Sequence, residues 1–185
     1  MYKVKDGFAC DRQSKYDFTA STVNYISEMY HDKDITIIFK ELDGDGNLVE
    51  FDSADASDTA RTDLIMFFND IGYNIELKER WGKYHSNYYG KDGDSEGWFV
   101  NIEKYNVLMK NKQYIPIFAN LFPDGVVRLW NLNKLNNLHT LTKNIAKTNV
   151  VESAVIPQKR YDVYNKDGKV FKRITGTKSN GIWKS

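Results

Sequence analysis

Residues 62 to 79, TDLIMFFNDIGYNIELKE, constrain the fold more than any other stretch of the chain. After its aspartate, TDLIMFF is apolar at odd and even positions alike. Side chains on a strand alternate between the two faces of a sheet, so such a run needs cover on both sides and belongs in the middle of a sheet. NDIG then supplies a turn. YNIELKE alternates cleanly, with Tyr73, Ile75 and Leu77 toward one face and Asn74, Glu76 and Lys78 toward the other. Two neighbouring strands are expected, the second with an apolar side and a polar one.

The flanks supply the layers. DFTASTVNYISEMY, residues 17 to 30, places Val23, Ile26 and Tyr30 at helical spacing, with Thr19 or Ser21 as the expected N-cap. DITIIFKEL, residues 34 to 42, is β-branched and aromatic, and DGDGN followed by LVEF completes a hairpin. NIEKYNVLMKNK, residues 101 to 112, repeats apolar positions at Ile102, Tyr105, Leu108 and Met109 and is read as a helix. YIPIFANLF and VVRLWNL are strands joined by the turn PDG at residues 123 to 125. Trp81 to Gly97 has no sustained period and is read as a long exposed loop. Beyond Asn133, LNKLNNLHTLTKNIAK admits a helix, and YDVYNKDGKVFKRI reads as a terminal hairpin around Lys166, Asp167 and Gly168. The order predicts an α/β architecture, a mixed β-sheet flanked by helices. A length of 185 residues suits a single domain, with a core over about 17–133 and a C-terminal extension over 134–185.

Composition excludes several classes. One cysteine, Cys10, allows neither an internal disulfide nor a thiolate zinc site. No apolar run has the roughly 20 residues of a membrane span, and the N-terminus lacks a secretory h-region, so a cytoplasmic protein is expected. The net charge of +1 hides a segregation: residues 1–133 carry 15 Lys/Arg against 22 Asp/Glu, whereas residues 134–185 carry 11 against 3. A basic quarter beside an acidic body suits a protein that holds a polyanion and a metal, and equally an ordinary solvated surface.

Alternation puts Glu76 and Lys78 on one face, and in an antiparallel pair the start of one strand lies near the end of the next, so Asp63 is expected beside them. Two carboxylates at one place repel unless a proton or cation separates them, and hard oxygen ligands favour Mg²⁺ or Mn²⁺. Lys78, a compact cation beside such an ion, is placed to orient or deprotonate a water and to steady charge on a phosphate.

An aspartate, a short hairpin and then Glu76, Leu77 and Lys78, with a helix before and another after, resembles the PD-(D/E)XK nuclease superfamily. The resemblance covers roughly residues 17 to 133 and implies a restriction-endonuclease-like sheet of helix, three-stranded meander, helix and strand. It implies Mg²⁺-dependent (or Mn²⁺-dependent) cleavage of phosphodiester bonds, DNA more than RNA, with Asp63 and Glu76 as metal ligands and Lys78 near the attacking water. Many members add an acidic residue from the first helix, for which Glu28 is the candidate, and some a basic or polar residue from the second helix, where Lys104 stands. Thr62 replaces the proline of the pattern. Many members act as dimers, so the resemblance also admits a homodimer.

Around the long segment after the ExK strand, Trp81, Tyr84, Tyr88, Tyr89 and Trp98 are placed to stack on bases, and Arg80, Lys83 and Lys91 to touch phosphate, if they do not simply cover the sheet edge. Trp130 and Trp183 read as packing residues. DGDGN lacks the glutamate that a calcium loop needs at its twelfth position, since Ala54 stands there, and reads as a hairpin turn. KDGDSEG, with Asp92, Asp94 and Glu96, reads as a flexible turn. His31, His85 and His139 have no ligand spacing. An E-x-K triplet alone most often marks a solvated strand face, so the alternatives are a non-catalytic nucleic-acid- or protein-binding module of the same fold, or a calcium-stabilised module built on DGDGN.

Overall fold

The structure is a computed structural model that describes residues 7–54, 56, 62–80, 87–88, 96–135, 140–145, 149–157 and 168–185. In chain order they form α1 (Gly7–Met29), β1 (Thr36–Leu42), β2 (Leu48–Glu50), β3 (Leu64–Phe68), β4 (Ile71–Glu79), β5 (Asn87–Tyr88), β6 (Glu96–Asn101) and α2 (Ile102–Lys110). There follow β7 (Ile115–Leu121), β8 (Val126–Asn131), a 3₁₀ turn (Leu132–Lys134), β9 (Thr140–Ile145), β10 (Asn149–Pro157), β11 (Gly168–Lys172) and β12 (Ile182–Lys184).

The chain is α/β, built on a mixed, mostly antiparallel open sheet of eight strands. Its order is β11-β8-β7-β4-β3-β1-β12, with β2 paired to β1 beside that path. β3 and β4 lie at the centre, as their sequences require. Leu64 and Met66 enter the cluster under α1, Ile65 is fully buried, and Ile75 and Leu77 of β4 join the α1 side. The β3–β4 turn uses Asn69 and Asp70 at φ 47° and 66°, the left-handed pair of a two-residue hairpin, which Asn and Asp tolerate better than other non-glycine residues.

Every neighbouring pair in this sheet is antiparallel except β4 and β7, which run parallel from Tyr73↔Ile115 to Glu79↔Leu121. A parallel pair needs a crossover, and the chain between them carries β5, β6 and α2. α2 packs on the face opposite α1, where Leu108, Phe118, Phe122, Trp130, Leu132 and Leu135 form a second cluster joined by Tyr105 and Met109. The two faces of β4 are thus enclosed differently: α1 covers Ile75 and Leu77, and α2 lies over the side that bears Glu76.

α1 begins well before the expected N-cap. Ser14, Asp17, Phe18, Ser21, Thr22 and Ile26 are all buried at helical spacing. Most of that stripe is polar, which hides it from a search for apolar periodicity. Its groups bind other parts of the chain: Ser21 Oγ accepts from Ile174 N at 2.8 Å, and Asp17 accepts from Gly176 N at 2.9 Å and from Arg173 Nη2 at 2.8 Å. Thr19 and Ser21 therefore lie inside the helix, where their hydroxyls donate to the carbonyls of Tyr16 and Asp17. One turn earlier, Arg12 and Lys15 reach the buried Glu41 of β1 at 2.7 and 2.9 Å.

Residues beyond 133 are not an appended extension. β11 pairs with β8 and β12 with β1, so the C-terminal segment supplies both outer strands of the main sheet. Of LNKLNNLHTLTKNIAK, expected to admit a helix, the described residues form the short 3₁₀ turn and then β9. β9 and β10 join β6 and β5 in a second, four-stranded sheet. Asn87–Tyr88 and Glu96–Gly97 within the supposed loop are strand, because they pair with each other and Gly97 also with Pro157. Gly168 of the expected terminal hairpin pairs with Trp130 of β8, while Lys166 and Asp167 lie outside the described residues. DGDGN is a hairpin turn: Gly46 has φ 88°, and Asp43 Oδ1 accepts from the backbone of Asp45 and Asn47. Trp130 stacks on Phe118 and Trp183 meets Phe39 edge-on, both as packing residues. Among the described residues no helix is long and apolar enough to cross a membrane.

Candidate active site

Asp63 stands just before β3, at the point where the β3–β4 ladder closes. Its N–H donates to Ile75 O at 3.1 Å, and its Oδ2 accepts from Leu77 N at 2.7 Å. The carboxylate replaces the main-chain acceptor that a longer β3 would have offered, which fixes it beside the middle of β4. Leu64 is registered with Ile75, so Asp63 falls opposite Glu76, on the side of the sheet away from α1.

Glu76 is only 4% exposed, with Phe118 of β7 as its register partner. Burial pushes its carboxyl up to about 8, and the charge of Asp63 adds to the rise. Lys104 and Lys78 act in the opposite direction. The two carboxyls thus share one field at a site that is costly for a second negative charge. Lys104, on the first turn of α2, brings Nζ to 3.3 Å from Glu76 Oε2. Lys78 is exposed two residues along the same face of β4 and is felt there electrostatically.

Four of the residues singled out from sequence therefore converge: Asp63, Glu76, Lys78 and Lys104. Glu28 is not brought to them. It lies exposed near the end of α1, on the helix that covers the reverse of the sheet, and accepts from Asn24 Nδ2 at 2.9 Å. Arg80 follows β4 directly, donates from Nε to Asn120 Oδ1 at 2.7 Å and holds its guanidinium 6.0 Å above the Phe118 ring. Lys83, Tyr84 and Lys91 lie outside the described residues, as do Trp81, Tyr89, Asp92 and Asp94.

The fold adds two polar residues that the sequence reading passed over. Asn120 is the β7 partner of Lys78, and Arg128 is the β8 partner of Asn120, so the three form one row across adjacent strands. Asn120 is fully buried and Arg128 is 2% exposed. Asn120 Nδ2 has no acceptor among the described residues, uncommon for a buried amide. A polar residue inside each of the apolar runs IPIFANL and VVRLWN was the available signal.

Among protein-family models, curated proteins and solved structures, nothing matches the chain.

The donor set fits a small hard cation. No group of three or more His, Cys, Asp or Glu side chains converges among the described residues. Mg²⁺, however, is commonly held by one or two carboxylates, with water and substrate phosphate filling an octahedron. Asp63 Oδ2 is engaged by Leu77 N, and Lys104 and Lys78 do not fully offset the burial of Glu76 beside Asp63, so a dication shared by the pair would relieve the crowding that raises the Glu76 carboxyl.

Proposed function

We propose that the chain is a Mg²⁺- or Mn²⁺-dependent nuclease that hydrolyses phosphodiester bonds, DNA more readily than RNA, as the resemblance to the PD-(D/E)XK superfamily implies. The observation that carries the reading is the meeting of Asp63 and a buried Glu76 with the charges of Lys78 and Lys104. The order of elements supports it: α1, the antiparallel run β1-β3-β4, α2, and β7 parallel to the ExK strand.

Asp63 and Glu76 would hold the ion, both lying on the α2 side of the sheet. A dication there supplies Lewis acidity, acidifying water and steadying charge on a phosphate. Lys78, exposed at the mouth, orients the attacking water and offers its ammonium to the non-bridging oxygens of the scissile phosphate. Arg80, tethered by Asn120, holds the neighbouring backbone. The low exposure of Glu76 keeps bulk water from screening these charges.

The test is cleavage of plasmid, single-stranded and branched DNA in the presence of Mg²⁺ or chelator, by the wild type, Asp63→Asn and Lys78→Ala. Metal-dependent cutting is expected from the wild type, with a loss of roughly 10²–10⁴-fold in Lys78→Ala. DNA binding without cleavage under either metal would favour the non-catalytic module. Equal cutting by wild type and Lys78→Ala would overturn the assignment.

A further inference from the structure

At the far end of the sheet face that bears Asp63 and Glu76, β1, β3 and the β3–β4 turn frame a cavity of about 260 Å³ lined by Thr36, Ile38, Phe67, Asn69 and Asp70. Ile37, Phe39 and Met66 enter the cluster under α1 and Phe68 packs against it, so Thr36, Ile38 and Phe67, which alternate with them, face the other way, with Glu76. Phe67 is half-buried and in register with Ile38 on one side and Gly72 on the other. A side chain on Gly72 would collide with the ring of Tyr114, which in its absence meets Phe67 edge-on at 5.9 Å. That contact steadies the Phe67 ring from the β4 side, while the cavity lies on its β1 side. Asn69 and Asp70, exposed at the positive φ of the turn, bring an amide and a carboxylate to the rim. β12 adds the exposed Ile182 and Lys184, register partners of Ile38 and Thr36.

We propose that this cavity receives one unpaired nucleobase carrying an exocyclic amino group, stacked on Phe67, with the amino group donating to Asp70. The proposal deepens the nuclease reading and rests on it for the nature of the polymer. The volume lies below the roughly 300–1,000 Å³ of pockets for drug-sized molecules and suits a single flat ring system. Any base can stack on an aromatic ring, so the rim decides which base is preferred. A carboxylate only accepts hydrogen bonds. Cytosine, adenine and guanine offer an amino donor, whereas thymine presents carbonyl oxygens that Asp70 repels. Lys184, on the same face, is placed for the adjoining phosphate. Phe67 stands four residues from Asp63 on one face of the chain, about 13 Å at roughly 3.3 Å per residue. At about 3.4 Å per stacked nucleotide, the held base lies within about four nucleotides of the scissile phosphate. A base inside a duplex reaches such a cavity only by leaving the stack, so single-stranded nucleic acid is the favoured form of substrate.

The experiment is fluorescence anisotropy of the full chain with short labelled oligodeoxycytidylate and oligothymidylate in chelator, for the wild type, Phe67→Leu and Asp70→Gly, beside a wild-type cleavage assay of both oligonucleotides in Mg²⁺. Glycine suits the positive φ at residue 70, so that variant keeps the turn. The wild type is expected to bind the cytosine oligonucleotide about tenfold more tightly than the thymine one, as for a hydrogen bond to a charged group. Asp70→Gly should erase the difference, and Phe67→Leu should weaken both by about tenfold. Equal wild-type affinities, or a preference that survives Asp70→Gly, would overturn the base pocket; metal-dependent cutting in the same samples would leave the nuclease standing. Base preference abolished by Asp70→Gly, without cutting, would uphold the pocket in a non-catalytic module. Failure to bind either oligonucleotide would overturn the pocket outright.

Discussion

Replacing Glu76 by glutamine keeps the shape of the side chain and removes its charge, so it isolates the effect of burying a carboxyl beside Asp63. The group ordinarily titrates at 4.5 and is raised to about 8 in the folded protein, first by burial and then by Asp63. Below 4.5 both folded and unfolded chains hold the proton, and the group contributes nothing to the pH dependence. Above it the unfolded chain releases the proton and the folded one does not, so stability falls as pH rises and levels off once the folded carboxyl ionises near 8. At 1.36 kcal/mol per pH unit the ceiling is about 5 kcal/mol, and relaxation around a coupled pair reduces it to roughly 2–4 kcal/mol. The assay is urea unfolding of wild type and Glu76→Gln in chelator from about pH 5 to pH 9. Other groups cancel in the difference, so the variant should gain on the wild type steadily with pH. Adding Mg²⁺ at the alkaline end should restore the wild type and leave the variant unchanged. A flat difference across the range would refute the account of Glu76 as a carboxyl crowded by burial and by Asp63.

Asp63→Asn removes the second cause of the raised Glu76 carboxyl, so carbon NMR of residue 76 should show it titrating lower than in the wild type; an unmoved titration would separate the two residues. Arg173 binds Asp17 at 2.8 Å and Glu79 at 2.6 Å, and Arg173→Met, which leaves two carboxylates facing each other, should cost about 3 kcal/mol in urea unfolding. A Cβ on Gly176 would lie 1.9 Å from Tyr16 O, main chain that cannot turn aside, so Gly176→Ala should lower stability by about 2 kcal/mol or more. Phe118→Ala empties a fully buried position beneath Arg80 and against Trp130 and should cost about 4 kcal/mol, with the loss concentrated on the face that carries the site. For each, a change under about 0.5 kcal/mol would contradict the packing described.

Much of the site was legible because strand alternation is a local rule. From YNIELKE alone, Glu76 and Lys78 share a face opposite Ile75 and Leu77, and the turn NDIG brings Asp63 back alongside. Lys104 was singled out only through the resemblance, because strand alternation does not reach a helix further along the chain. Glu28 was not separable from the site by its position in the sequence, because only the packing of α1 shows which side of the sheet it covers. The start of α1 was missed for a related reason. Its buried stripe is built of Ser14, Asp17 and Ser21, whose burial is worthwhile only because Glu79 accepts from Ser14 and Arg173, Ile174 and Gly176 bind the other two.

What the sequence determined by itself is the set of local periods: two central strands, a polar face on the second, and a helix on either flank. Those follow from side-chain geometry within a few residues and need no distant partner. The tertiary structure alone decided that β7 lies parallel to β4, that Asn120 and Arg128 extend the row from Lys78, and that the last residues form both edges of the sheet. Pairing between strands far apart in the chain is chosen by the whole core at once, since each edge must find a partner whose buried face and hydrogen bonds match its own.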